Sequence, residues 1–129
     1  MKKLLFISAS TLLVIVLSCN KEPGEGGTST IEGKVWVVDK NNDGVVTGEY
    51  YAMDEDVFIA YGDDQTYSDN FNTSYDGSYR FDNLTIGMYT VFAYSDCDTC
   101  ASGMSAIKET VEITENKQLI TVPDLVIVR

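Results

Sequence analysis

The chain has 129 residues, enough for one small domain, and it carries 9 basic and 20 acidic residues for a formal net charge of −11. So acidic a surface repels nucleic acid and anionic headgroups, and no nucleic-acid partner is expected. The sequence contains no histidine. This excludes Ser-His and Cys-His nucleophile pairs, His-ligated zinc and the usual general base near pH 7.

Residues 1–18 have the order of a secretory signal peptide, which is removed from the mature protein. Two lysines form the cationic start, an apolar run covers residues 4–17, and Ser18 precedes Cys19. The run of about 14 residues is shorter than the ~20 that cross a bilayer as a helix, which disfavours a plain transmembrane anchor. Removal of the two lysines leaves seven basic and twenty acidic residues, a net charge of −13.

The segment Val16-Leu17-Ser18-Cys19 resembles the lipobox of bacterial lipoproteins. In that family the peptidase cuts before the cysteine, and the new N-terminus carries lipid, palmitate included. The resemblance implies that Cys19 is lipidated and holds the protein at a membrane of the bacterial cell envelope. Such a lipoprotein carries two or three acyl chains, which anchor stably where one chain does not. The expected location is the outer membrane, periplasmic or surface-exposed. An ordinary secretory signal with a cysteine near its cut is the alternative.

Residues 19–29 are predicted to be the lipidated N-terminus and a flexible tether, because residues 20–29 are polar and rich in glycine. Ten such residues would span roughly 15 to 20 Å as a random coil. The folded domain is then expected over residues 30–129.

Apolar and polar residues alternate with a period of two from Thr30 onward, which is the signature of β-strands. Turn signals rich in Asn, Asp and Gly separate the runs, and no segment after Cys19 has a sustained helical stripe. The pattern predicts an all-β fold, a seven-stranded antiparallel Greek-key sandwich of the prealbumin or immunoglobulin type. The predicted strands are 30–38, 56–61, 78–82, 88–94, 110–114, 119–122 and 125–128.

The inward positions of these strands define a predicted core. Its members are Val35, Val37, Val57, Ile59, Tyr79, Phe81, Tyr89, Val91, Val111, Ile113 and Val122. Phe92 and Tyr94 fall on the opposite face from Tyr89 and Val91. They either cover the second face of their sheet or form an exposed aromatic patch.

Three segments carry a family resemblance: Gly33–Asp39, Tyr75–Leu84 and Gly87–Val91. Their D-G-x-Y-x-F-x-N-L and G-x-Y-x-V patterns resemble the Sdr-type B repeats of bacterial surface adhesins and the related carboxypeptidase regulatory-like domains, over about residues 30–128. The resemblance implies a transthyretin-like sandwich of seven strands. It also implies a role as stalk, spacer or attachment module rather than as an enzyme.

The segment from Asp39 to Val45 matches the first half of a calcium-binding loop. Side-chain oxygens stand at positions 1, 3 and 5, a glycine at 6 and a backbone carbonyl at 7. Calcium is therefore the expected cofactor, and its predicted ligands are Asp39, Asn41, Asp43, Val45 and, one place before the usual final acid, Glu49. In the resembled repeats an acid also closes the loop. A turn rich in Asn and Asp that binds no metal is the alternative.

Cys97 and Cys100 are the remaining cysteines of an exported chain, and a small disulfide is their simplest state. A metal site would need two further ligands. A redox role is disfavoured because Asp96 and Asp98 oppose formation of a thiolate.

The expected function is that of a non-enzymatic, membrane-anchored module that acts as a spacer or binds a protein or glycan. Tyr50, Tyr51, Tyr67 and Tyr75 beside acidic loops are candidates for recognition, or they cap the ends of the sandwich. The alternatives are an accessory glycan-binding or carboxylate-pair glycoside-processing protein, and an accessory subunit of a larger envelope complex.

Overall fold

A computed structural model describes residues 22–129, and the predicted signal peptide and Cys19 lie outside these residues. The described chain forms nine strands. They are β1 (Glu25–Lys40), β2 (Val46–Tyr51), β3 (Asp56–Tyr61), β4 (Asp69–Asn72), β5 (Ser78–Leu84), β6 (Gly87–Asp96), β7 (Met104–Ile113), β8 (Leu119–Thr121) and β9 (Leu125–Val128). Within residues 22–129 no helix has the length and apolar character needed to cross a membrane.

The strands form two sheets in a sandwich-like arrangement, which confirms the all-β prediction. One sheet has the order β4-β3-β6-β7 and is antiparallel throughout. In the other, β1 pairs antiparallel with β2 and β5 but parallel with β8 and β9. The prediction of a wholly antiparallel sandwich is therefore wrong for this sheet, because the C-terminal strands return alongside β1 in its own direction. The prediction of seven strands missed β2 and β4, and the Greek-key connection stays a prediction.

Strand β1 is long enough to belong to two ladders on each of its edges. Along one edge β5 reaches Lys34 and β2 begins at Trp36, and along the other β8 is followed by β9. Val35 lies at the change of partner, where its N–H donates to the Gly77 carbonyl (3.0 Å) and its carbonyl accepts from the Ala52 N–H (2.9 Å). β1 therefore pairs with each of the other four strands of this five-stranded sheet.

The core lies between the two sheets, and all predicted core residues except Val111 are buried. Val111, on the edge strand β7, is partly buried and packs against the core. The buried set also includes Ile31, Leu84, Leu125 and Ile127. The alternation of side chains along a strand thus identified the inward face correctly in both sheets.

The predicted flexible tether is wrong for residues 25–29, because these residues are the first part of β1. Ser29 is buried, and its hydroxyl donates to the Glu115 carbonyl at 2.8 Å. A Cβ added to Gly27 would lie 2.0 Å from the carbonyl oxygen of Leu84. The glycines that indicated a flexible linker instead permit two backbones to approach closely.

The sandwich has two ends. The N-terminal end comprises the start of β1, the ends of β3 and β5, the start of β6 and the end of β7. The distal end comprises the β1–β2 turn, the β6–β7 turn and the C-terminus. The ten residues of β6 connect the two ends, a distance of roughly 30 Å at ~3.4 Å per residue.

Candidate functional site

Four aromatic side chains form a continuous surface on the outer face of the antiparallel sheet; we call Phe58, Tyr67, Phe92 and Tyr94 the aromatic face. Phe58 lies at its centre, with its ring centroid 5.3 Å from that of Phe92 in a stacked arrangement. The Phe58 centroid also lies 4.8 Å from that of Tyr67 and 5.7 Å from that of Tyr94. These separations are typical of favourable aromatic pairs.

Strand alternation and one loop assemble the aromatic face. Phe58 and Phe92 are directly opposed partners of β3 and β6, so their side chains share one face. Tyr67 comes from the β3–β4 loop. A hydrogen bond from the Ser68 N–H to the Ile59 carbonyl, at 2.7 Å, holds this loop to β3. The question left open by the sequence is thus answered: Phe92 and Tyr94 contribute to an exposed aromatic patch.

The aromatic face is accessible to solvent and has polar neighbours. Tyr67 is 55% exposed and Tyr94 41% exposed, whereas Phe58 and Phe92 are half-buried. A shallow cavity of about 220 Å³ opens here, and its lining also includes Asp64, Gln65, Thr90 and Lys108. Ring faces surrounded by hydrogen-bonding groups are the usual composition of a small-molecule binding surface.

A second aromatic pair lies on the outer face of the mixed sheet, but one of its two rings already has other polar contacts. The rings of Trp36 and Tyr51 are 4.8 Å apart in an edge-to-face arrangement, and the Lys34 ammonium lies 4.7 Å from the Tyr51 ring centroid. The Tyr51 hydroxyl donates to Asp124 at 3.0 Å, a bond that raises the pKa of Tyr51 above its usual range. This pair therefore offers less free surface than the aromatic face.

A larger cavity of about 420 Å³ lies beside β1 and β5, and its lining includes the charged residues Glu32, Lys34 and Arg80. These charges neutralise one another: Arg80 lies 2.7 Å from Asp82 and 3.7 Å from Glu32, and Lys34 lies 3.9 Å from Asp76. The hydrogen bond from Arg80 holds the pKa of Asp82 below its usual range. The charged groups of this cavity already have partners, whereas the aromatic face presents stacked rings that solvent reaches, so the aromatic face is the better candidate.

The predicted calcium loop is closed by its own hydrogen bonds. The Asn41 side-chain oxygen accepts from the N–H groups of Asp43 and Val45, at 3.0 Å each. The Val45 carbonyl accepts from the Asn41 N–H at 3.0 Å. Two of the predicted ligand oxygens are therefore already engaged in an Asx turn.

The structure does not bring all the predicted calcium ligands together. Asp39 is paired with Gly48, and Glu49 with Val38, so alternation directs the side chains of Asp39 and Glu49 to opposite faces of the ladder. The described residues contain no cluster of three or more His, Cys, Asp or Glu side chains that could hold a metal ion. The arrangement fits an Asx turn better than a calcium site, and calcium binding stays a prediction.

Cys97 and Cys100 are joined by a disulfide in the turn between β6 and β7, with their Cα atoms 5.3 Å apart. The Cys97 N–H donates to the Gly103 carbonyl at 2.9 Å, which closes the turn at its base. Arg129 lies at the same distal end, paired with Glu55 and 3.7 Å from Asp96. Burial raises the pKa of Glu55, and the Arg129 charge opposes that rise. The distal end is thus fastened by covalent and ionic contacts.

Of the four tyrosines predicted as recognition candidates, only Tyr67 joins the aromatic face. Tyr51 packs on Trp36, and the Tyr50 hydroxyl donates to Asp39 at 3.4 Å. Tyr75 is 85% exposed in the turn before β5. Phe58 was not among the candidates predicted from the sequence, although its position between the inward residues Val57 and Ile59 was the available signal.

The described chain is an all-β, sandwich-like domain with an exposed aromatic surface. Among solved structures it is similar to PA1324 of Pseudomonas aeruginosa, a protein whose suggested role is carbohydrate binding, with a TM-score of 0.51 and 14% sequence identity. The similarity covers 82% of this chain and 91% of that chain. No family model and no curated protein matches this sequence. The similarity shows the fold alone, and the resemblance to the carboxypeptidase regulatory-like domains stays a prediction.

Proposed function

We propose that this protein is a non-catalytic, lipid-anchored module of the bacterial cell envelope that binds a glycan on its aromatic face. The observation that carries the proposal is the contiguous set of four rings on an outer sheet face, beside polar groups that are able to hydrogen-bond. A contiguous apolar patch with polar neighbours is a common mark of an interaction site.

The chemistry of the aromatic face suits a sugar ring. The flatter face of a pyranose presents C–H groups with partial positive charge, and these pack on the negative face of an aromatic ring. The sugar hydroxyls then require donors and acceptors at the edge, a role available to Asp64, Gln65, Thr90 and Lys108. A cavity of about 220 Å³ is the size of a single sugar unit rather than of a long buried chain.

Two further points support the proposal. PA1324, whose suggested role is carbohydrate binding, shares the fold. The sequence lacks histidine, and carboxylate pairs would have to supply any hydrolytic chemistry. Acylation of Cys19, which the lipobox pattern predicts, would display the module at the envelope.

Glycan-array screening of the signal-free protein, followed by calorimetry on the best ligand, tests the proposal. We expect Tyr94→Ala to weaken binding about tenfold with an unchanged melting temperature, since a partly exposed ring is removed. Tyr75→Ala is the matched control, because Tyr75 is exposed but lies outside the aromatic face. Absence of any glycan ligand, or equal affinity of wild type and Tyr94→Ala, would overturn the proposal. Release of a shortened product would support the glycoside-processing alternative.

A further inference from the structure

The first described residues are fastened to the N-terminal end of the sandwich by a buried hydrogen-bond cluster. The Gly24 N–H donates to the Tyr89 hydroxyl oxygen, and that hydroxyl donates to the Thr85 carbonyl, both at 2.8 Å. The Thr85 hydroxyl donates to the Glu22 carbonyl at 2.8 Å, and the Thr85 N–H to the Gly24 carbonyl at 2.9 Å. Tyr89 is fully buried. Residues 22–24 are therefore part of the folded domain.

Pro23 adds packing to this attachment. A Cβ on Gly87 would lie 2.5 Å from the Pro23 Cγ, and one on Gly62 would lie 3.5 Å from it. The ring of Pro23 thus fits against the chain at two positions where no side chain is present. Together with the hydrogen bonds, this contact defines where the chain leaves the domain.

Only two residues, Asn20 and Lys21, separate Cys19 from Glu22. Three Cα–Cα steps reach at most about 11 Å, whereas the sandwich extends roughly 30 Å from its N-terminal end to its distal end. An acyl anchor on Cys19 would thus hold the N-terminal end near the bilayer surface and leave the distal end farther out. The longer tether predicted from sequence would have allowed many orientations.

The surface of the N-terminal end carries apolar side chains that suit this location. Ile86 is 38% exposed and Met88 44% exposed, in and just after the turn that leads into β6. Glu22, Asp63 and Asp64 lie beside Met88 around an open cavity, and the residues of 22–129 that line it include no Lys or Arg. Carboxylates repel anionic lipid, so the surface suits a zwitterionic headgroup layer.

We propose that the N-terminal end, with Ile86 and Met88 foremost, rests on a zwitterionic bilayer surface when Cys19 is acylated. The inference rests on the lipid anchoring included in the proposed function. Phe92 and Tyr94 follow Met88 by four and six residues along β6, so these two residues of the aromatic face are held roughly 14 to 20 Å from Met88. The face then opens sideways, parallel to the membrane, where extended glycans have access.

Tryptophan fluorescence of the acylated full-length protein in phosphatidylcholine vesicles tests this orientation. Trp36 is the single native tryptophan, and the substitution Trp36→Phe first removes its fluorescence. Ile86→Trp and, independently, Met88→Trp then probe the N-terminal end. Val45→Trp, at a 57% exposed position of the distal end, is the matched control. Nitroxide-labelled lipid is expected to quench both N-terminal probes about twofold or more and to leave the control unchanged, since interfacial contact buries side chains by ~5 to 10 Å.

Two further measurements make the outcomes distinguishable. A Gly/Ser insertion between Lys21 and Glu22 is expected to reduce quenching at position 86 to the level of the control. Without the insertion, added phosphatidylserine is expected to weaken the quenching of the N-terminal probes. Stronger quenching would contradict the charge argument. Equal quenching at both ends, in protein that floats with the vesicles, would overturn the orientation while leaving the anchor intact. Protein that fails to float would overturn the anchor of the proposed function and the orientation together.

Discussion

Two buried tyrosines provide a matched test of the polar interactions that stabilise this fold. Tyr79 is 1% exposed and Tyr89 is fully buried, and both face the core. The Tyr79 hydroxyl has no hydrogen-bond partner among residues 22–129. The Tyr89 hydroxyl accepts from the Gly24 N–H and donates to the Thr85 carbonyl. The same substitution, Tyr to Phe, therefore removes an unpaired group at one position and a paired group at the other.

The two substitutions are expected to have different effects on the free energy of unfolding. Tyr89→Phe leaves the buried Gly24 N–H without its partner, which costs about 1 to 3 kcal/mol of unfolding free energy. At ~4 to 8 °C per kcal/mol for a domain of this size, the melting temperature falls by at least about 4 °C. Tyr79→Phe removes a hydroxyl whose desolvation is not offset by a hydrogen bond, so the free energy of unfolding stays the same or rises by about 1 kcal/mol.

Urea denaturation of the signal-free domain, followed by circular dichroism, measures both free energies of unfolding. The slopes of unfolding free energy against urea must match for the comparison to hold. Hydrogen exchange at the Gly24 N–H provides a local readout, and Tyr89→Phe is expected to accelerate it while Tyr79→Phe does not. A loss of stability in Tyr79→Phe equal to that in Tyr89→Phe would refute the reasoning.

Three further predictions concern other parts of the fold. Gly27→Ala is expected to lower the free energy of unfolding by about 1 to 3 kcal/mol, because the new Cβ overlaps the Leu84 carbonyl. Gly48→Ala is the control: Gly48 has open space around it, so the same urea titration should show little change. Asn41→Ala is expected to cost about 1 kcal/mol in thermal melts without added calcium, since the Asx turn is lost; a millimolar calcium-dependent rise in the wild-type melting temperature that Asn41→Ala abolishes would instead favour the calcium loop. Burial, followed by the charge of Glu25, raises the pKa of Tyr61 to about 12 from 10.0, so the stability that the neutral phenol contributes is complete below pH 10 and is lost as the pH rises through about 12. Spectroscopic titration of tyrosinate checks this, and Tyr61 ionisation near pH 10 in the folded protein would contradict it.

The candidate site was only partly visible in the sequence. Phe92 and Tyr94 were assigned to the outer face because alternation along a strand is a local property. The same rule applied to β3 would have added Phe58. Tyr67 could not be added, since it lies in a loop, and only the folding of that loop over β3 brings its ring within 4.8 Å of Phe58.

In the predicted calcium loop the sequence pattern was visible but fitted two different structures. The spacing of Asp39, Asn41 and Asp43 is compatible both with metal ligands and with an Asx turn, because the same oxygens serve either purpose. The backbone favours the Asx turn: it directs the N–H groups of Asp43 and Val45 to Asn41 and separates the side chains of Asp39 and Glu49.

What the sequence alone determined was the strand character of the chain and its inward face, since a period of two in apolar residues identifies one side of a strand wherever the strand lies. It did not determine which strands are neighbours or in which direction they run. The parallel return of β8 and β9 along β1, and the attachment of residues 22–29 beside Leu84, depend on contacts between residues far apart in the chain. Such contacts leave no local periodicity, because they are selected by the packing of the whole domain.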